Sequence, residues 1–197
     1  TFVDADDWVK PDYLAHLLRP AQAEEVDMVV SYPETWRKEK RVPPDPHPAG
    51  MVERRDFAAL FTRYALDKYT QCWGKLYRAA WVRQNGLRFP EGVSMGEDHA
   101  FLYAGLLTAR RLYATADTDY CYRALPGSLS GQYRALPDEW RAYENIRDVV
   151  RRVIGEVPVA DPVAVSRLQA QTAYYLWRVL EVMYAPAPPR RQRTNIR

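Results

Sequence analysis

Cysteine is scarce: the 197 residues hold only Cys72 and Cys121. Two thiols without metal-ligand spacing exclude a disulfide framework and a structural zinc site, and they make a reducing compartment the expected setting. No apolar run approaches the roughly 20 residues a spanning helix needs, and no leader is recognisable, so the expected location is cytoplasmic. The net charge is only +3, which gives no reason to expect a nucleic-acid partner. The basic residues that stand out, Arg190, Arg191, Arg193 and Arg197, follow Pro186-Ala187-Pro188-Pro189 and read as a solvated tail. Peripheral contact of that tail with anionic lipid at the inner face of a membrane is an expectation of the same kind. What is plentiful is proline and tyrosine, fifteen and fourteen residues, which implies substantial loops and a surface with aromatic platforms.

The most chemically pointed stretch is Thr1-Phe2-Val3-Asp4-Ala5-Asp6-Asp7-Trp8. A short β-favouring run entering three carboxylates reads as the end of a buried strand, at the edge where open α/β sheets place ligands. Asp4 and Asp6 lie two positions apart, so both can face one way. Two or three carboxylates suit a hard cation such as Mn²⁺ or Mg²⁺ with diphosphate oxygens and water around it. The plainer alternative makes Asp7 the N-cap of the next helix. A chain that opens directly on such a strand is expected to be a piece of something longer.

Along the chain, helices are expected over Pro11–Ala23, Asp56–Tyr64, Ala79–Gln84 and Glu97–Ala109. Pro137–Ile154 should form another, stopped by Gly155. A last helix is expected from an Asp161 cap and Pro162 to Tyr184. Strands are expected at Val26–Tyr32, whose nearly unbroken apolar run fits burial on both faces. Others are Met51–Glu53, the extended segment at Cys72–Arg78, Arg111–Thr115 and Asp119–Arg123. Pro33–Gly50, with Pro43, Pro44, Pro46 and Pro48, reads as a long mobile loop. His16 is expected at the surface or partly buried. The aromatics Tyr174, Tyr175, Trp177 and Tyr184 are expected to pack in a core or an interface.

Several stretches together resemble family-2 inverting glycosyltransferases of the GT-A fold. Phe2–Trp8 resembles the family's acidic motif, and Trp73-Gly74-Lys75-Leu76-Tyr77 its W-x-K-L-Y stretch. Gly86–Gly92 is similar to the segment that follows. Gly96-Glu97-Asp98-His99 resembles the E-D motif, and Tyr120-Cys121-Tyr122-Arg123 with Gly127-Ser128-Leu129-Ser130 the stretch after it. The resemblance implies an α/β fold: a partial, Rossmann-like GT-A sheet with flanking helices over residues 1–133, a pair of long helices over 134–185, and the basic, Pro-rich tail 186–197. It implies that Asp6 and Asp4 hold Mn²⁺ or Mg²⁺ and the donor diphosphate, with Asp6 the more direct ligand. By the same resemblance Asp98 is the general base and Glu97 its supporting acid. Arg123, Ser128 and Ser130 lie by the diphosphate, and Trp73 and Lys75 toward the acceptor. The implied activity is transfer of a sugar from a nucleotide-sugar donor, a UDP-sugar by default, to a carbohydrate hydroxyl in polysaccharide or glycoconjugate synthesis. The resembling proteins carry a nucleotide-binding segment before the acidic motif that has no counterpart here. The sheet edge this leaves open makes a homo-oligomer, or a rearranged packing, an expectation. The rival reading is a non-catalytic module of the same fold that binds carbohydrate or protein through its aromatics.

Overall fold

The computed structural model describes residues 1–125 and 132–184. Two mixed, four-stranded sheets carry the fold. The chain runs β1 (Trp8–Val9), α1 (Tyr13–Glu24), β2 (Met28–Val30), β3 (Glu34–Arg37), β4 (Lys40–Val42) and β5 (Gly50–Glu53). It continues through α2 (Ala58–Thr62), β6 (Lys75–Tyr77), α3 (Ala79–Gln84), α4 (Glu97–Thr108), β7 (Arg111–Ala114), β8 (Tyr120–Arg123), α5 (Leu136–Glu156) and α6 (Pro162–Tyr184).

The larger sheet has the order β5-β7-β2-β6, with β2 and β7 parallel and the outer two strands antiparallel to them. The smaller has the order β1-β8-β3-β4, with β3 and β8 parallel. Because β2 leads into β3 and β7 into β8, the same parallel pair crosses from one sheet to the other. The seam between the sheets therefore lies at the C-terminal ends of β2 and β7, the position where such sheets gather ligands.

Strand alternation divides the core. Met28, Val30, Leu112 and Ala114 face the main cluster under α2, α4, α5 and α6, while Val29 and Tyr113 face Tyr13, Leu17 and Val26 on the α1 side. This is the double-sided burial expected for Val26–Tyr32. The helices follow their sequence signals closely. Asp161 Oδ1 accepts from the Val163 and Ala164 N–H groups at 2.8 and 3.1 Å, as an N-cap should. Some bounds differ: α1 begins beyond Pro11, α2 covers only Ala58–Thr62 of the expected Asp56–Tyr64, and α5 passes through Gly155 to Glu156.

Three other expectations are corrected. Phe2–Val3 is not a strand; Phe2 packs its ring on Tyr77, Phe89 and Phe101 instead, and β1 forms only after the carboxylates. Pro33–Gly50 is not a plain loop, because Glu34–Val42 folds as a β-hairpin. Its turn residues Lys38 and Glu39 take φ of 45° and 63°. Buried Glu34 accepts from Lys10 and Arg41 at 2.5 and 2.8 Å, which fastens the hairpin to the body. Among the prolines that follow, His47 stacks on Tyr32 at 3.8 Å. Finally, Asp7 caps no helix. Asp12 occupies the N-cap position of α1 and makes no side-chain capping bond.

No helix among the described residues is long and apolar enough to cross a membrane. Both cysteines are free and buried. His16 is half-buried against Asp119, its Nδ1 2.5 Å from the carboxylate. Among the described residues β6 pairs only with β2, so its outer edge is open.

Candidate functional site

The acidic stretch lies at the seam, held there by groups over a hundred residues away. Tyr120 Oη accepts from the Asp4 N–H at 3.1 Å and donates to Asp7 Oδ2 at 2.7 Å. The Arg123 N–H donates to Asp7 Oδ1 at 2.7 Å. Both oxygens of Asp7 are therefore engaged in tying the acidic turn to β8. Asp4 and Asp6 are left exposed, and their carboxylates make no such hydrogen bond among the described residues. One oxygen from each of Asp4, Asp6 and Asp7 can be chosen so that all lie within 4.8 Å of one another. Partial burial and the neighbouring carboxylates of Asp7, Asp98, Asp6 and Glu97 push the Asp4 carboxyl above its ordinary range. That repulsion is what a cation relieves. An all-oxygen, partly solvated donor set of this kind fits Mn²⁺ or Mg²⁺.

The second acidic pair arrives on α4. Gly96 ends the preceding loop with φ +79°, and Glu97 and Asp98 occupy the first turn of the helix, both half-buried. The same electrostatic neighbourhood around Asp4 includes both of them, so two motifs far apart in sequence converge. Behind Asp98 lies the β6 approach. The Cys72 thiol is within hydrogen-bonding reach of Asp98, and burial together with that carboxylate drives it well above the thiol range. Lys75 is 1% exposed and donates from Nζ to the Gln71 carbonyl at 2.6 Å. Burial lowers it to about 8. Trp73 is 5% exposed and stacks on Tyr120 at 4.5 Å and on Tyr122 at 5.4 Å. Trp73 and Lys75 are thus both buried, Trp73 against the tyrosine that holds the acidic turn. Arg123 lies over the Trp8 ring, 5.1 Å from its centroid, beside the acidic turn. Ser128 and Ser130 fall outside the described residues.

Sequence reasoning missed a third layer. Tyr175, on α6, is buried and reaches up to the Gly96 turn: a Cβ on Gly96 would lie 2.7 Å from its hydroxyl. The same hydroxyl is 3.2 Å from His99 Nδ1, and His99 Nε2 is 2.5 Å from Thr70 Oγ1. Burial lowers His99 to about 4, so the ring is neutral at ordinary pH. This network braces the turn that carries Asp98 against α6. Beside it, Arg178 and Glu139 form a buried ion pair at 2.6 Å, and Arg178 also donates to the Gln132 carbonyl at 2.8 Å. The motif at Gly96 is legible in the sequence, but its contact with a tyrosine on the last helix is not.

No protein-family model matches the chain. The class the fold defines is the glycosyltransferase fold of GT-A type, as solved structures show. The structure of Staphylococcus aureus TarS residues 1–349 with UDP-GlcNAc matches with a TM-score of 0.61 at 21% identity, over 93% of this chain and 48% of that one. The TarS complex with UDP matches at 0.57 and 19% identity, over 94% and 47%. Among curated proteins, the putative glycosyltransferase EpsH of Bacillus subtilis strain 168 is 25% identical over 146 residues, which cover 68% of this chain and 39% of EpsH. The chain therefore spans less than half the length of each of these proteins, and over that span it has the fold of TarS.

Proposed function

We propose that the chain is the metal- and acceptor-side portion of an inverting glycosyltransferase that moves a sugar from a nucleotide-diphosphate donor to a hydroxyl acceptor. The observation that carries this reading is the convergence of Asp4 and Asp6 with Glu97 and Asp98 at the sheet seam, with Asp7 already committed to Tyr120 and Arg123. Asp6 and Asp4 would hold Mn²⁺ or Mg²⁺, which when bound offsets the charge of a leaving nucleoside diphosphate. TarS binds UDP-GlcNAc and UDP, so UDP-sugars are the first donors to assay.

The residues of the chain supply the rest. Inverting transfer is one in-line displacement at the anomeric carbon, and the attacking hydroxyl must lose its proton as the bond forms. Asp98 takes that proton. It is held in the first turn of α4. Glu97 adds negative charge beside it, and the buried Cys72 and Lys75 lie in its electrostatic neighbourhood. Arg123, beside the acidic turn, is placed to meet diphosphate oxygens. The non-catalytic, aromatic-platform reading gains nothing from Trp73, whose ring is buried against two tyrosines.

The test is release of UDP from UDP-sugars by the full-length protein of which this chain is a portion, as wild type, Asp98→Asn and Asp6→Ala. The reading expects turnover in the wild type, retained donor binding with at least a hundredfold loss of turnover in Asp98→Asn, and loss of both in Asp6→Ala. Turnover that survives in Asp98→Asn contradicts the role of Asp98 as base.

A further inference from the structure

The tip of the β3–β4 hairpin carries charge that its own fold does not reward. It reads Arg37-Lys38-Glu39-Lys40, three cations and one acid, all exposed. Arg37 stands directly opposite Lys40 in the ladder. Like charges so placed weaken a strand pair. Lys38 and Glu39 make the turn in left-handed conformations, where glycine, asparagine or aspartate fits at lower cost. Among the described residues no carboxylate is ion-paired with Arg37, Lys38 or Lys40, and nearby Glu34 is already taken by Lys10 and Arg41. Charge on an outer strand also discourages edge-to-edge pairing, but a glutamate opposite Arg37 would do so without the repulsion. The tip lies on the face of the sheet that holds the acidic turn. Alternation puts Arg37 and Thr35 on one face, and Thr35 lies beside Tyr122 in register. Tyr122 shares that face with Tyr120, both stacked on Trp73, and Tyr120 Oη anchors Asp4 and Asp7. In the order β1-β8-β3-β4, the hairpin strands stand two and three places from β1. At about 4.8 Å per place, that is roughly 10–15 Å from the strand into which the acidic turn leads. The Lys10–Glu34–Arg41 cluster fastens the base of the hairpin, so the tip is presented without a large ordering cost.

We propose that this tip is the acceptor-binding arm of the site and that the acceptor it takes is anionic, a glycan bearing phosphate or carboxylate groups. An anion placed between Arg37 and Lys40 turns their mutual repulsion into two attractions. Lys38, at the turn between them, adds a third cation. A neutral glycan would leave the repulsion in place. The donor diphosphate fits less well. The residues proposed to meet it, Asp4, Asp6 and Arg123, lie at the acidic turn and on β8, and β8 stands between that turn and the hairpin. The role of acceptor rests on the transferase reading, whereas the preference for an anion rests on the hairpin alone.

Fluorescence anisotropy tests it, with labelled neutral dextran, dextran phosphate and oligogalacturonate as probes. The wild-type chain is expected to bind an anionic probe and not the neutral one, and the tighter of the two anionic probes identifies the group. Arg37→Gln/Lys38→Gln/Lys40→Gln is expected to weaken that binding at least about tenfold and to flatten its salt dependence. Arg19→Gln/Arg83→Gln/Arg151→Gln removes the same charge from exposed positions on α1, α3 and α5 and is expected to leave it within about twofold. Mn²⁺ with UDP is expected not to displace the probe. Circular dichroism checks that each variant is folded, and the hairpin variant is expected to melt no lower than wild type, since it loses the Arg37–Lys40 repulsion. The proposal is overturned if the wild type binds neither anionic probe, or if both triple variants lose binding equally, which would make overall charge responsible. Displacement of the probe by Mn²⁺ and UDP would overturn it too, by assigning the arm to the donor. Failure of the transferase reading shows separately, as no release of UDP by the full-length protein, and leaves these binding results as they are.

Discussion

Replacing Gly96 by alanine probes the contact on which the placement of Asp98 depends. The residue has φ +79°, and an added Cβ would meet three atoms of Tyr175, the hydroxyl, Cζ and Cε1, at 2.7, 2.8 and 2.9 Å. Two costs add. A left-handed conformation costs an L-residue about 1–2 kcal/mol. Forcing a packed ring aside costs about 1–3 kcal/mol more, since Tyr175 is only 1% exposed and cannot swing out freely. The total is about 3 kcal/mol, which lowers the melting temperature by roughly 6–12 °C for a chain of this size. Gly86 is the internal control. Its φ is +59°, but nothing lies within 4 Å of its Cβ position, so Gly86→Ala incurs only the conformational cost. That should lower melting by roughly 2–8 °C. Tyr175→Ala is itself destabilising by about 3–5 kcal/mol. In the double variant the clash is gone, so the combined loss should fall short of the sum by at least about 1 kcal/mol. Thermal and urea unfolding of the wild type and these four variants gives all of these values. Equal losses for Gly96→Ala and Gly86→Ala, or strict additivity with Tyr175→Ala, would refute the claim that α6 braces the Asp98 turn.

Other outcomes follow from the same geometry. Lys10 and Arg41 hold the buried Glu34 carboxyl down to about 2 from 4.5. Its contribution to stability is therefore complete above about pH 4.5 and lost as pH falls toward 2. With both partners about half exposed it should amount to about 2 kcal/mol, read as the difference between wild type and Glu34→Gln across that range. That difference would not vary with pH if the ion pairs were unimportant. Glu139→Ala leaves Arg178 buried and unpaired and should cost about 3–5 kcal/mol in urea unfolding. A loss under about 1 kcal/mol would show that water reaches the guanidinium readily.

How much of this was legible depended on how local the cause was. The Asp161-Pro162 start of α6 and the Gly96 start of α4 could be read because capping and left-handed turns are written in neighbouring residues. The β3–β4 hairpin could not. Its turn uses Lys38 and Glu39 in left-handed conformations with no glycine, and the prolines just beyond it made the whole stretch look like a loop. Asp7 was weighed as a helix cap because its real partners, Tyr120 and Arg123, are more than a hundred residues away. The acidic pairs could each be found in sequence. What sequence could not give was that Asp7 is spent on structure while Asp4 and Asp6 are left free. Nor could it show that Trp73 and Lys75 are buried, since the rings that cover Trp73, Tyr120 and Tyr122, lie far along the chain.

The most direct test of the central claim is electron paramagnetic resonance of Mn²⁺ added to the protein with and without UDP, in wild type and in Asp6→Ala. The account predicts that wild-type protein takes up Mn²⁺, more tightly with UDP present, and that Asp6→Ala does neither while remaining folded. Equal Mn²⁺ uptake by the two proteins, or none by the wild type in the presence of UDP, would contradict the assignment of the acidic turn as a metal and diphosphate site.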